Sequence, residues 1–349
     1  MRIASSAIPS SVVPFLGLSP RPQPRTGLFR IRTFAALAAL AILSSAAALA
    51  QPHAYSNIVV FGDSLSDTGN NYQLFEAKYS LPVPGFYLPY EDYTAGEFTD
   101  GPDTVPHSLN YFQVWVEQLA QALPGQPPVI ASLDHGTNYA YGSATTGNGT
   151  TTLSVTGPPS NTVYSVQVEN IGQQITDYLA SPHAKIDSST LFIVWGGGED
   201  LLHATSTKDV TNAAIQQVLN LQRLIQAGAT QFLVLNLPPL GLVPEFNTSL
   251  ASSLPATAAA VLFNSYLATG IAVLKDVYPL RHLTFYQLDV FHLMISAVAS
   301  PASYGLTNVK DPAEDLPVDP DKYLFWDYVH PTTRGHNILA TAAYNLLSH

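Results

Sequence analysis

The sequence predicts an α/β fold, a three-layer α/β/α sandwich around a central parallel sheet. Four short apolar runs read as buried strands: Ile58–Phe61, Leu191–Trp195, Gln231–Leu237 and Leu283–Leu288. Helix-like stretches separate the last three, and no internal repeat or charged linker divides the chain. Strands that alternate with helices imply parallel pairing through right-handed crossovers.

The elements follow in order. The first fifty residues carry five arginines and no acid, then the apolar run Phe34–Leu43 and the small-x-small site Ala48-Leu49-Ala50. That pattern predicts a signal peptide over residues 1–50, cleaved after Ala50, and hence a secreted or periplasmic protein. An uncleaved membrane anchor is the alternative, but the run is short against the ~20 residues a span needs. Residues 51–349 have a length suited to one α/β domain. After the first strand, Tyr79–Pro106 is rich in Pro, Tyr and Gly, and Ser143–Tyr164 is rich in Thr, Gly and Pro. Both are expected to be long irregular segments beside the substrate groove. A helix is expected over Val166–Leu179. A second spans Val210–Ala227, where Ala214, Val218, Leu221, Leu224 and Ile225 fall near helical spacing. An alanine-rich third covers Ala256–Val277, and a terminal one Gly335–Leu347.

Composition excludes several classes of function. The chain has 14 Lys+Arg against 25 Asp+Glu. Removing the leader's five arginines leaves nine basic residues and a net charge of about −16. Such a surface repels phosphate backbones and anionic lipid faces, so nucleic-acid binding and stable membrane insertion of the mature chain are not expected. There is no cysteine, which rules out disulfides, cysteine catalysis and Cys-ligated metal. The ten histidines show no metal-ligand spacing, so no metal or cofactor is expected.

The chemistry concentrates in four blocks. Ile58–Phe61 runs into Gly62-Asp63-Ser64-Leu65-Ser66-Asp67-Thr68-Gly69-Asn70-Asn71, the pattern of a buried parallel strand that delivers a side chain to the sheet rim. Phe325-Trp326-Asp327-Tyr328-Val329-His330-Pro331 sets an acid three residues before a histidine, so that one short loop can carry a base and its orienter. Between them lie Asn138-Tyr139-Ala140-Tyr141-Gly142-Ser143 and the strand end Trp195-Gly196-Gly197-Gly198-Glu199-Asp200.

These blocks resemble, in order and spacing, those of the GDSL esterase/lipase family of SGNH hydrolases. The resemblance implies a flavodoxin-like fold and a serine esterase, with Ser64 as nucleophile, His330 as general base and Asp327 as its orienter. It implies that the Ser64 and Gly142 N–H groups receive the oxyanion. The third block departs from the family, because Glu199 stands where an asparagine donates its side-chain N–H. An ionised glutamate cannot donate, and losing one oxyanion donor typically costs about 2.7–4 kcal/mol. Three readings stay open: Glu199 is protonated by burial and donates, it points away, or the protein is a weak or inactive relative. The first motivates an expectation of activity skewed towards acid pH.

Asp63 and Asn70 are read as shaping the nucleophile turn, Asp200 as an anchor and His336 as structural. Gly96-Glu97-Phe98-Thr99-Asp100-Gly101 also resembles a family stretch, with Glu97 in place of arginine and no catalytic role assigned. Tyr87, Tyr90, Tyr93 and Phe98 are candidate substrate contacts or a satellite core. The expected partner is a small-molecule, lipid or carbohydrate ester. Two alternatives remain, a non-catalytic lipid- or carbohydrate-binding relative and an acyltransferase.

Overall fold

The computed structural model describes residues 55–79, 96–100, 114–157, 162–314 and 316–348. The predicted signal peptide, Tyr87, Tyr90 and Tyr93 lie outside them.

Four parallel strands form the central sheet in the order β1 (Asn57–Gly62), β4 (Thr190–Trp195), β5 (Gln231–Leu235) and β6 (Thr284–Leu288). A short segment extends it beyond β1: the Val60 N–H donates to the Thr137 carbonyl at 3.0 Å and the Tyr139 N–H to the Val60 carbonyl at 2.8 Å. The chain thus leaves β1 for one edge and then returns to pair β4 on β1's other side. The end of β1 is therefore where strand order reverses, the place at which open α/β sheets hold ligands.

Alternation along the strands sorts the core into two faces. Val59, Phe61, Phe192, Val194, Phe232, Val234 and Phe285 point to one side. They meet α3 (Ile171–Ala180), α5 (Thr207–Ala227) and α6 (Leu250–Val277) through residues such as Ile175, Leu221, Phe263 and Ile271. Ile58, Val60, Leu191, Ile193, Trp195 and Leu233 point to the other, against α2 (Trp115–Ala122) and α8 (Thr333–Leu347). Both faces of the parallel sheet are covered, which explains why its strands read as continuous apolar runs. By length and composition α6 could cross a membrane, but its Phe263, Leu267, Ile271 and Leu274 are buried in the first face. Helix α5 ends where Gly228 turns left-handed at φ +117° and its N–H returns to the Ile225 and Leu224 carbonyls.

The remaining elements are α1 (Asn70–Tyr79), the antiparallel hairpin β2 (Thr150–Gly157) and β3 (Thr162–Glu169), and α4 (Gly198–Leu202). Helix α7 (Val290–Ala299) and the pair β7 (Asn308–Pro312) and β8 (Tyr323–Phe325) complete the described chain.

Two expectations need correction. The segment Ser143–Tyr164 is not irregular throughout, since it contains β2 and the start of β3. The helix expected from Val166 begins only at Ile171, because Val166–Glu169 finish β3. In both cases alternation wins: Leu153, Val155, Tyr164, Val166 and Val168 bury one hairpin face against Phe75 of α1 and Tyr141.

Candidate active site

Strand β1 ends at Gly62, and Asp63 opens a short 3₁₀ turn over Ser64–Ser66 by accepting the Leu65 N–H at 3.2 Å. The turn holds Ser64 at the sheet rim. From the far end of the sequence, the loop after β8 brings His330 to it, with Nε2 2.9 Å from Ser64 Oγ. His330 Nδ1 lies 2.7 Å from Asp327 Oδ2. A carboxylate can only accept, so Nδ1 carries the proton and Nε2 is free to receive one from serine. Asp327 is held in turn by its other oxygen, which accepts the Val329 N–H at 2.7 Å and the His330 N–H at 2.6 Å. Ser64, Asp327 and His330 are thus brought together as one hydrogen-bonded chain, buried to 6%, 7% and 8% exposure.

Electrostatics around this chain are acidic. Burial alone would lower the His330 pKa, but the Asp327 carboxylate and its hydrogen bond, helped by Glu199 and Asp63, hold it above the ordinary histidine value. Asp63 is pushed up to about 7, first by burial and then by the Glu199 charge. Burial also raises Glu199, while His330 and His203 restrain the rise. Glu199 sits in the first turn of α4 and lines the same pocket as Ser64 and His330. Its Oε2 lies 3.6 Å from Nε2 of the exposed His203. Asp200 anchors two blocks, accepting the Thr146 N–H and hydroxyl at 2.9 Å each.

Gly142 requires a correction. Its N–H donates to Asp67 Oδ2 at 3.1 Å, so it is committed within the fold rather than open to an oxyanion. The residue is glycine for room: a Cβ there would lie 2.3 Å from Phe98 Cζ and 2.5 Å from Asn71 Nδ2. The neighbouring Ser143 takes a left-handed φ of +66°. Phe98 is buried and its ring centroid lies 5.0 Å from that of His330, so it supports the imidazole.

Three residues gain roles that sequence reading missed. Asp67 gathers the N–H groups of Gly69, Asn70, Asn71 and Gly142, which restrain a pKa that burial pushes up to about 7. Gln174 of α3 clamps Gly62, accepting its N–H at 3.0 Å and donating to its carbonyl at 2.9 Å. Its signal was a polar residue on the apolar Ile171–Ile175 face. Glu97, buried, accepts the Val114 N–H at 3.0 Å and is raised well above a usual carboxylate by burial and by Glu117. Asn70 binds the carbonyls of Asn138 and Ala140 at 2.8 and 2.9 Å, a turn-shaping role. His336 Nδ1 accepts the Trp115 N–H at 3.2 Å, and burial pushes its pKa down to about 3. It is a neutral structural histidine. Among the described residues no group of three or more His, Asp or Glu could hold a metal.

The family profile described as GDSL-like Lipase/Acylhydrolase matches residues 58–343. The chain is 30% identical to an uncharacterized protein in the trpE-trpG intergenic region of Pseudomonas putida, over 89% of this chain and 52% of that one. It is 26% identical to GDSL esterase/lipase EXL6 of Arabidopsis thaliana, over 90% of this chain and 96% of that one. Among solved structures, a member of the lipolytic protein G-D-S-L family from Veillonella parvula aligns with 83% of this chain and 96% of that one, at 12% identity and a TM-score of 0.39. The chain spans about half the length of the Pseudomonas relative.

Proposed function

The chain belongs to the GDSL-like lipase/acylhydrolase family, and on that premise we propose that it is a secreted serine esterase acting on neutral carboxylic esters. The hydrogen-bonded chain from Ser64 Oγ through His330 to Asp327 carries this reading. His330 Nε2 takes the Ser64 proton as Oγ attacks the ester carbonyl. The proton passes to the leaving alcohol, an acyl-serine forms, and water reverses the sequence to release the acid. Asp327 keeps the imidazole in the required tautomer and stabilises its charged form.

The oxyanion falls to the backbone N–H of Ser64, since that of Gly142 is committed to Asp67. Glu199 joins that donor only when protonated. The secretion reading rests on the leader over residues 1–50.

Two groups then set the pH profile in opposite senses. His330 must lose a proton, and its raised pKa moves that loss to higher pH. Glu199 must keep one, and its own raised pKa extends the donating form upward from the usual range. The acid-skewed activity expected from Glu199 alone is therefore cut off on its acid side by His330, and the expected profile is a narrow bell.

The test is hydrolysis of p-nitrophenyl butyrate by purified protein beside Ser64→Ala, from pH 4.5 to 9. Removing the nucleophile is expected to cost at least about 10⁴-fold in rate. Wild type no faster than Ser64→Ala at every pH would replace the esterase with a binding protein.

A further inference from the structure

We propose that the apolar cavity behind Ser64 is the acyl-chain subsite and that it restricts the enzyme to short acyl groups. The proposal rests on the serine-esterase reading of the site and goes on to name its substrate class. The cavity lies among α7, β8 and α8 and is lined wholly by hydrocarbon, proline, glycine, thioether and aromatic residues. It adjoins the pocket that contains Ser64, Glu199 and His330, because Leu65, Pro238, Val243 and Val329 line both. Leu65 follows the nucleophile in sequence and Val329 precedes the base. The boundary between the two spaces is therefore formed in part by the catalytic pair's own neighbours. A carbonyl carbon at Ser64 Oγ can direct an alkyl tail across that boundary, and the one polar side-chain atom in the wall is the Trp195 indole nitrogen, a single N–H donor.

Size makes the inference specific. The cavity holds about 70 Å³. That is roughly half of an engineered ~150 Å³ apolar cavity that admits benzene, and room for two or three groups the size of a water, ~30 Å³ each. That volume suits a butyryl tail better than an octanoyl one. Met294 and Ala297 of α7 form part of the wall. A second space also adjoins the catalytic pocket, across Leu202, Leu240 and Phe246. It is an open groove of about 660 Å³ between the start of α5 and the start of α6, and it carries the hydroxyls of Thr205, Ser206, Thr207 and Ser252. Its width suits the alcohol half of the ester.

The experiment varies each half of the ester separately. p-Nitrophenyl esters from acetate to decanoate vary the acyl group, and butyrates of methyl to octyl alcohols vary the other. For wild type, kcat/KM is expected to rise about fourfold per added methylene up to butyrate, the burial value of a CH₂, and to fall beyond it. Ala297→Val narrows the cavity and is expected to move the optimum towards acetate, abolishing the wild-type preference for butyrate over acetate. Met294→Ala enlarges the cavity and is expected to move the optimum past butyrate, a gain that misfolding cannot produce. The alcohol series is expected to keep its shape in both variants. An acyl profile unmoved in Met294→Ala, or a shift in the alcohol series instead, would overturn the assignment. Absence of Ser64-dependent turnover on every ester is a separate result that removes the esterase reading itself.

Discussion

The ends of β1 and β4 both open onto the catalytic pocket, yet they are built differently. At the end of β1, nearly every polar group of the turn is held. Gln174 clamps both backbone groups of Gly62, and the Trp115 indole N–H donates to Ser66 Oγ at 3.1 Å. The Asn138 amide reaches the Ser66 carbonyl, and Asp67 collects four backbone donors. At the end of β4 three glycines lead to Glu199, whose carboxylate faces the pocket and the exposed His203. Only the next residue, Asp200, is tied back, to Thr146. The nucleophile's position is thus built into the fold, whereas the chemistry at position 199 can change while the fold stays intact.

The largest expected effect lies on the well-held side. Asp327→Asn keeps the shape of the loop but favours the wrong imidazole tautomer, and kcat is expected to fall about 10⁴-fold. Steady-state kinetics with p-nitrophenyl butyrate read it, and a fall of less than tenfold would show that the backbone alone orients His330.

Glu199→Gln comes next and separates the two sides. A neutral amide donates at every pH, so the rate at pH 8 is expected to rise by about 10- to 100-fold, within the worth of one oxyanion donor. At pH 5.5, where more of Glu199 carries its proton than at pH 8, the gain is expected to be smaller. The melting temperature is expected to stay within about 2 °C, as for a substitution outside the packed core. Equal gains at both pH values would mean that Glu199 never donates.

Gln174→Ala should do the reverse. It leaves the buried Gly62 N–H unpaired, at about 1–3 kcal/mol, while the Gly62 carbonyl keeps the Tyr141 N–H at 3.3 Å, so melting is expected to drop by roughly 5 °C. Calorimetry measures it. An unchanged melting point would show that the β1 end is held without its clamp.

The last effect concerns pH and stability. Burial pushes Asp63, Asp67, Glu117 and Glu169 up to about 7. Between about pH 4 and 7 each keeps in the native chain a proton that its unfolded counterpart has lost. That stabilisation is full below about pH 4 and lost as pH rises towards 7. His336, pushed down to about 3, acts in the opposite sense between pH 3 and 6.5, but it is one group against four. Melting is therefore expected to be higher at pH 5 than at pH 8, and a reversed order would mean that these carboxyls stay charged inside the fold.

The comparison also explains what could be read in advance. The strands β1, β4, β5 and β6 were legible because both sheet faces are covered, which leaves continuous apolar runs between turn signals. Helices α5, α6 and α8 showed their buried stripes. The hairpin β2–β3 did not stand out, since its outward positions mix Thr, Ser and Gln with the exposed Val163, which blurs an alternation that packs on Phe75. Ser64, Asp327 and His330 were legible because their spacing is local to short loops. Asp67 and Gln174 act on backbone groups brought close only by the fold, so no spacing reveals them. Gly142 misled for the same reason: its N–H is taken by an acid 75 positions away.

Ser64 and His330 stand 266 positions apart, with three of the four strands of the parallel sheet between them. Contacts of such sequence separation close late, because the entropy of a long loop is lost before they can form. On the proposed esterase reading, ester hydrolysis becomes a clock on folding: during refolding from denaturant, helical signal is expected to return first, and turnover to mark the moment when the two distant ends of the domain meet.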